Sequence, residues 1–171
     1  MKPTILTFLL IASLSVSAQD KMLDKYDNIF SEATINEKNV ILVFGHKHCG
    51  WCRVFDSYHA SPEVKVILET EYIIHKIDII ESKIGRALFD HYRLQGTPAW
   101  MIFSFDKKLL ANGKDSNGKN VGYPYKQSEM ANYLSSIQKS SKKINENELQ
   151  VLSAKLKDLA DHKINKMKNG S

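Results

Sequence analysis

Two spacings of apolar residues alternate along the chain. Met22, Tyr26, Ile29, Phe30 and Ala33 recur every three or four positions and predict an amphipathic helix over 21–33. A polar turn at 36–39 separates it from Val40-Ile41-Leu42-Val43-Phe44, an unbroken apolar run of buried-strand length. A helix from Cys52 to about Tyr58 follows. Ser61-Pro62-Glu63 predicts the next helix start, with an N-cap serine, proline at the first position and an acid in the first turn. Val64, Ile67 and Leu68 give that helix one apolar face. The β-branched stretch 72–79 predicts a strand. Residues 81–92 predict a helix with Ile84, Leu88 and Tyr92 on one side. A strand over 100–105 turns at Asp106-Lys107-Lys108 into Leu109-Leu110. Residues 112–120, rich in Gly, Asn, Asp and Lys, predict an exposed loop. A helix over 128–138 packs through Met130, Leu134 and Ile137.

Strands and helices in this order predict an α/β domain, a central sheet with helices on both faces. There is no internal repeat. A last helix begins at Asn145-Glu146-Asn147-Glu148, where an N-cap precedes an acid by three positions, a relative of the capping box. Leu149, Leu152, Leu156 and Leu159 follow at spacings of three and four. This stripe fits either a terminal helix folded back on its own domain or a helix that binds a partner.

The N-terminus changes the picture. Lys2, the apolar run 5–12 and small residues ending at Val16-Ser17-Ala18 predict a secretory signal peptide cleaved after Ala18. An uncleaved anchor is the alternative. The apolar core is short for a bilayer, and no later segment predicts a span. No cysteine follows the signal, so no lipid anchor is expected. At 171 residues, one decorated domain is expected. The net charge of +5 owes much to lysines near the C-terminus. Nucleic acid or an anionic membrane would suit them, but no nucleic-acid motif stands beside them, and a solvated helix face accounts for them.

The chain has two cysteines, both in Cys49-Gly50-Trp51-Cys52. A strand delivers this motif to a helix start. The first N–H groups of the helix are unpaired and its end carries partial positive charge, which stabilises a thiolate at Cys49. Cys52, one turn on, is placed to resolve a mixed disulfide formed at Cys49. A structural disulfide is the alternative in an oxidising compartment, but so short a loop constrains the unfolded chain little.

Gly96-Thr97-Pro98 precedes the strand over 100–105. Together with the upstream Cys-x-x-Cys, it makes the chain resemble the thioredoxin superfamily over residues 21–138. Gly96-Thr97-Pro98-Ala99, the later Gly122-Tyr123 and Arg53 after the motif resemble the exported thioredoxin-like and thiol:disulfide interchange proteins. The resemblance implies a thioredoxin fold with an extra C-terminal helix. With the signal peptide read from the N-terminal residues, the chain is expected to divide into that signal peptide (1–18), a thioredoxin-like domain (19–140) and a C-terminal helical extension (141–171). The resemblance also implies a cis Pro98 facing the sulfurs, with the Thr97 backbone as a docking edge for an extended substrate. The Thr97 hydroxyl is expected near the sulfur pair.

These residues lead to one expectation: a periplasmic or secreted thiol–disulfide oxidoreductase. Cys49 is the nucleophile and Cys52 the resolving thiol, with His48, Gly50 and Trp51 shaping the loop. Thr97 and Pro98 dock the substrate, and Trp51 offers it an apolar contact. The substrates are protein or peptide disulfides, with an upstream electron-transfer partner; the residues leave reductase, oxidase and isomerase open, and the thioredoxin-like neighbours of the motif favour reduction. No cofactor, metal or nucleic acid is expected, nor a membrane span after cleavage, and the protein is expected to be a monomer. Three departures qualify the resemblance. His48 stands where tryptophan is frequent before the first cysteine, Val43 stands where thioredoxins proper carry a buried acid, and the separate N-terminal dimerisation domain of the dimeric isomerases is not expected.

His48, with Lys47 beyond it, is expected to raise the potential beside Cys49 or simply to decorate the loop. His46, His59, His75, His91 and His162 are expected at surface or helix-face positions. A rival reading is a thioredoxin-fold metal-binding or metal-delivery protein using His46, His48, Cys49 and Cys52. A second rival is an interaction module that uses the leucine stripe.

Overall fold

The apolar run becomes β1 (Asn39–Gly45), an inner strand of a four-stranded sheet in the computed structural model, which describes residues 21–169. The expected signal peptide at 1–18 lies outside the described residues. The strand order is β2 (Tyr72–Asp78), β1, β3 (Ala99–Phe103), β4 (Leu109–Asn112). β1 and β2 are parallel, with Val43 opposite Lys76. β1 and β3 are antiparallel, with Val43 opposite Trp100, and β3 and β4 form an antiparallel hairpin.

β1 is apolar at successive positions because both faces of the sheet are covered. Successive side chains point to opposite faces. Val40, Leu42 and Phe44 pack with Phe30, Leu88 and Phe89. That face is covered by a 3-10 segment (Lys21–Tyr26), α1 (Asp27–Ile35) and α4 (Lys83–His91). Ile41 and Val43 pack the other way, with Phe55, Leu68, Tyr133 and Leu152. There the helices are α2 (Gly50–Ala60), α3 (Pro62–Leu68), α5 (Gln127–Ser140) and α6 (Glu146–Asn169). This topology, with Cys-x-x-Cys at the β1–α2 junction and a cis Thr97–Pro98 bond entering β3, is the thioredoxin fold with an added C-terminal helix.

The helix expected over 21–33 is interrupted, a 3-10 segment passing into α1. Ser61 sits at the start of α3 but does not cap it with its side chain; its hydroxyl donates instead to the Tyr58 carbonyl at 2.7 Å. On α4 the buried residues are Gly85, Leu88 and Phe89, while Ile84 is exposed. Gly85 allows that packing. A Cβ there would stand 2.5 Å from Ile77 Cγ2 and 2.9 Å from the Asp78 carbonyl oxygen.

The leucine stripe is spent inside the domain. Leu149, Leu152 and Leu156 are buried in the core shared with β1, α2, α3 and α5, and Leu159 packs against it. The stripe therefore does not offer a free seam to a partner. The capping box forms: Glu148 N–H donates to Asn145 Oδ1 at 3.1 Å, and Asn145 N–H donates to Glu148 Oε2 at 2.8 Å. The connection from α5 to α6 is pinned by Glu71. Its carboxylate accepts from the Ser141 hydroxyl and from the N–H groups of Lys142 (2.6 Å) and Lys143 (2.9 Å). Burial opposes the Glu71 charge, but these hydrogen bonds hold its carboxyl below the ordinary range.

Candidate functional site

β1 ends at Gly45, whose missing side chain makes room for a sulfur. A Cβ there would lie 3.1 Å from Cys52 Sγ. The chain turns through His46, Lys47 and His48 and enters α2 with Cys49 as its N-cap. Cys49 and Cys52 form a disulfide, with Cα atoms 5.2 Å apart. Cys49 has the extended backbone of a cap, and the Cys52 N–H donates to its Sγ at 3.0 Å. One free N–H group of the helix start, that of Cys52, is thus directed at this sulfur. Cys49 is half-buried, whereas Cys52 is 6% exposed and sits beneath it.

Cys49 Sγ lies 3.5 Å from the carbonyl oxygen of Thr97. The Thr97–Pro98 bond is cis, and Pro98 is buried. The two sequence motifs therefore meet, at the Thr97 carbonyl. Asn120 holds this loop from behind, its Nδ2 donating to the carbonyls of Gly96 (3.2 Å) and Pro98 (3.0 Å). The sequence marks Asn120 only as part of an exposed loop. A side-chain amide that bridges two carbonyls leaves no mark on local sequence.

Trp51 is held in an aromatic stack. Its ring lies 5.4 Å from Tyr123 and 5.3 Å from Tyr125, at interplanar angles of 25° and 12°. Gly122, with φ of +76°, makes the turn that presents these tyrosines. The Tyr123 hydroxyl donates to the Leu156 carbonyl at 2.7 Å, tying the active loop to α6.

The charges beside the sulfurs differ from expectation. Lys47 turns to Glu81, with Nζ 2.6 Å from Oε1. That partner raises its pKa and neutralises its charge. His48 is exposed, its ring 6.5 Å from that of His46. Two cations do approach the motif, Lys163 of α6 and Arg53 of α2. Lys163 Nζ is 3.4 Å from where a Gly50 Cβ would be, and Arg53 Nη2 is 4.0 Å from the same point. Nothing in linear sequence links Lys163 to Gly50; only the docking of α6 on α2 does.

Beside Cys52 is a cavity of about 240 Å³, lined also by Val43, His46, Asp56 and Lys76. Val43 supplies no acid, but Asp56 of α2 brings a carboxylate to the cavity and pairs with Lys76 Nζ at 2.9 Å. Among the described residues, no group of three or more His, Cys, Asp or Glu is placed to hold a metal ion. In this disulfide form the two sulfurs are bonded to each other. Among the described residues, no helix is long and apolar enough to cross a membrane.

His59, expected at a surface or helix-face position, is on α2 but only 5% exposed. Its Nε2 is 3.2 Å from the Tyr133 hydroxyl. Burial, with a smaller contribution from the Lys76 charge, pushes its pKa down to about 3, so it is neutral in the folded protein.

No family model matches the chain, and no curated protein matches it. Among solved structures it is similar to a disulphide isomerase from Xylella fastidiosa, at 20% identity and a TM-score of 0.46. That match covers 59% of this chain and 79% of the isomerase. It is also similar to a DsbH oxidoreductase, at 19% identity and a TM-score of 0.48, over 67% of this chain and 80% of that one. A thioredoxin-fold protein from Helicobacter pylori matches at 17% identity and a TM-score of 0.43, over 74% and 86%.

Proposed function

We propose that the chain is an exported thiol–disulfide oxidoreductase that reduces protein or peptide disulfides. The observation that carries this reading is the place of Cys49. It caps α2, takes the Cys52 N–H on its sulfur and touches the carbonyl of Thr97 beside Pro98. Export rests on the signal-like pattern at 1–18, and reduction on the thioredoxin-like residues around the motif.

The chemistry balances within the protein and two partners. In the reduced form, the Cys49 thiolate attacks one sulfur of a substrate disulfide. A Cys49–substrate bond forms, the substrate S–S bond breaks, and the leaving sulfur takes a proton. Cys52 then gives up its proton and attacks Cys49 Sγ. The Cys49–Cys52 bond forms and the second substrate sulfur leaves as a thiol. The Cys52 proton has an exit into the adjacent cavity, where Asp56 stands. Two electrons have passed to the substrate, leaving the oxidised pair seen here. An upstream dithiol partner returns them by the same exchange. Helix-start N–H groups stabilise the attacking thiolate. The Thr97 backbone offers an edge on which an extended substrate pairs with little sequence preference.

The test is trapping. Cys52→Ser, expressed with its native leader, should accumulate mixed disulfides on Cys49, and Cys49→Ser should accumulate few or none. Absence of adducts from both variants would remove protein disulfide exchange as the function.

A further inference from the structure

The last turns of α6 build a cationic groove against the start of α2. Gly50, Arg53, Val54 and Ser57 form one wall, and Leu159, His162, Lys163 and Lys166 the other, around a volume of about 250 Å³. The groove begins at Gly50, the residue after Cys49. Lys163 Nζ and Arg53 Nη2 converge there, 3.4 and 4.0 Å from where a Gly50 Cβ would be. The lining holds three fixed positive side chains and no carboxylate. Other lysines of the same helix are neutralised: Lys155 pairs with Glu63 at 3.0 Å and Lys157 with Asp161 at 2.6 Å. Arg53 is braced by donating to the Lys47 carbonyl at 2.9 Å, and neither it nor Lys163 nor Lys166 forms an ion pair with a carboxylate among the described residues.

Arg53 stands at the partly positive start of α2, and Lys163 and Lys166 stand near the C-terminal end of α6; with no carboxylate in the lining, the groove keeps a net positive charge that attracts an anion. Val54 and Leu159 add apolar surface between the charges. We propose that this groove is a substrate subsite: it binds an acidic stretch of polypeptide flanking the cystine that Cys49 attacks, with Lys163 and Arg53 taking the carboxylates nearest the reacting sulfur. The proposal rests on the exchange reading above and names its substrate class. α6 then determines specificity, and its lysine-rich end is not merely a solvated face.

The test uses the reduced full-length protein and three disulfides. Two are peptides identical except for Asp/Glu or Lys residues flanking the cystine; the third is the neutral bis(2-hydroxyethyl) disulfide. At low salt the acidic peptide should react faster than the basic one by about tenfold, and the ratio should shrink as salt screens the charges. Lys163→Gln should lower the ratio to within about twofold and Lys163→Glu should invert it. Lys108→Gln, on the distant hairpin, should leave it unchanged. Equal rates for the two peptides in the wild type overturn the subsite and leave the exchange reading standing. So does a Lys163→Gln variant that slows all three disulfides in parallel, because the lysine would then act on the sulfur. Sedimentation with phosphatidylglycerol vesicles that depends on Lys163, without any peptide preference, also overturns it, in favour of a membrane surface. No exchange with any of the three overturns the exchange reading itself, and the subsite with it.

Discussion

The two faces of the sheet are covered by different chemistry. The face under α1 and α4 is packed by Leu23, Phe30, Phe44, Leu88, Phe89 and Phe103. Two of its aromatic contacts are edge-on, Phe30 to Phe103 at 6.1 Å and Phe44 to Phe89 at 6.0 Å. The opposite face carries the sulfurs at its rim and polar groups beneath them. His59 and Ser61 are buried there, with Tyr58, Tyr123, Tyr133 and Trp100 around them, and buried Glu71 fastens the segment that leads to α6. Buried polar groups must be satisfied or they cost stability. α6 and its linker meet part of that need: the Leu156 carbonyl accepts from Tyr123, and the Ser141–Lys143 segment donates to Glu71. One face is therefore scaffold. The other is a functional layer closed by the additional helix.

That contrast gives three expected outcomes, taken from the largest. Leu156→Ala opens a cavity at the centre of the functional layer and should cost about 2–5 kcal/mol in urea unfolding. It should also loosen Tyr123 and the Trp51 stack, so Trp fluorescence should change before global unfolding. If it costs under ~1 kcal/mol, α6 is not part of the core.

The second outcome concerns acid. His59 is neutral when folded, with a pKa near 3, whereas an unfolded histidine titrates near ~6.5. The unfolded chain thus binds the extra proton in that window, and stability falls as pH drops from about 6.5 towards 3. Down to pH 4 this group should account for a loss of about 3 kcal/mol. His59→Gln should show a correspondingly shallower fall over the same window, measured by denaturation at each pH. Equal slopes would mean that His59 is accessible to protons when folded.

The third outcome lies on the scaffold face. Gly85→Ala drives a methyl into Ile77 and the Asp78 carbonyl and should cost about 1–3 kcal/mol. Its disulfide exchange per folded molecule should stay at the wild-type rate. A fall in exchange at full folding would show that the two faces are not separable.

Much of this was legible in sequence, for local reasons. β1 announced itself because burial on both faces removes alternation, and the Cys49–Cys52 pair and Pro98 belong to contiguous motifs. The capping box at Asn145 and Glu148 is likewise a three-residue relation. What could not be read depends on how helices dock. His59 looks like any histidine near a helix end until Tyr133 and Phe55 close over it. Lys47 looked like the cation nearest the sulfur, but Glu81, thirty-four positions on, neutralises it. Lys163, Asn120 and the Tyr123–Tyr125 stack reach the site from distant segments, and their partners carry no pattern on their own stretch of chain. The leucine stripe was visible, but only packing shows that it faces inward.

The central claim is that Cys49, at the start of α2, is the attacking thiolate and Cys52 the shielded resolving thiol. The most direct measurement is brief alkylation of the reduced protein across a pH series, with mass mapping of the labelled cysteine. Cys49 should be labelled first at every pH, and its reactivity should persist below the range of a free thiol, which titrates near ~8.5. Labelling of Cys52 first, or equal labelling that follows an ordinary thiol titration, would contradict the account.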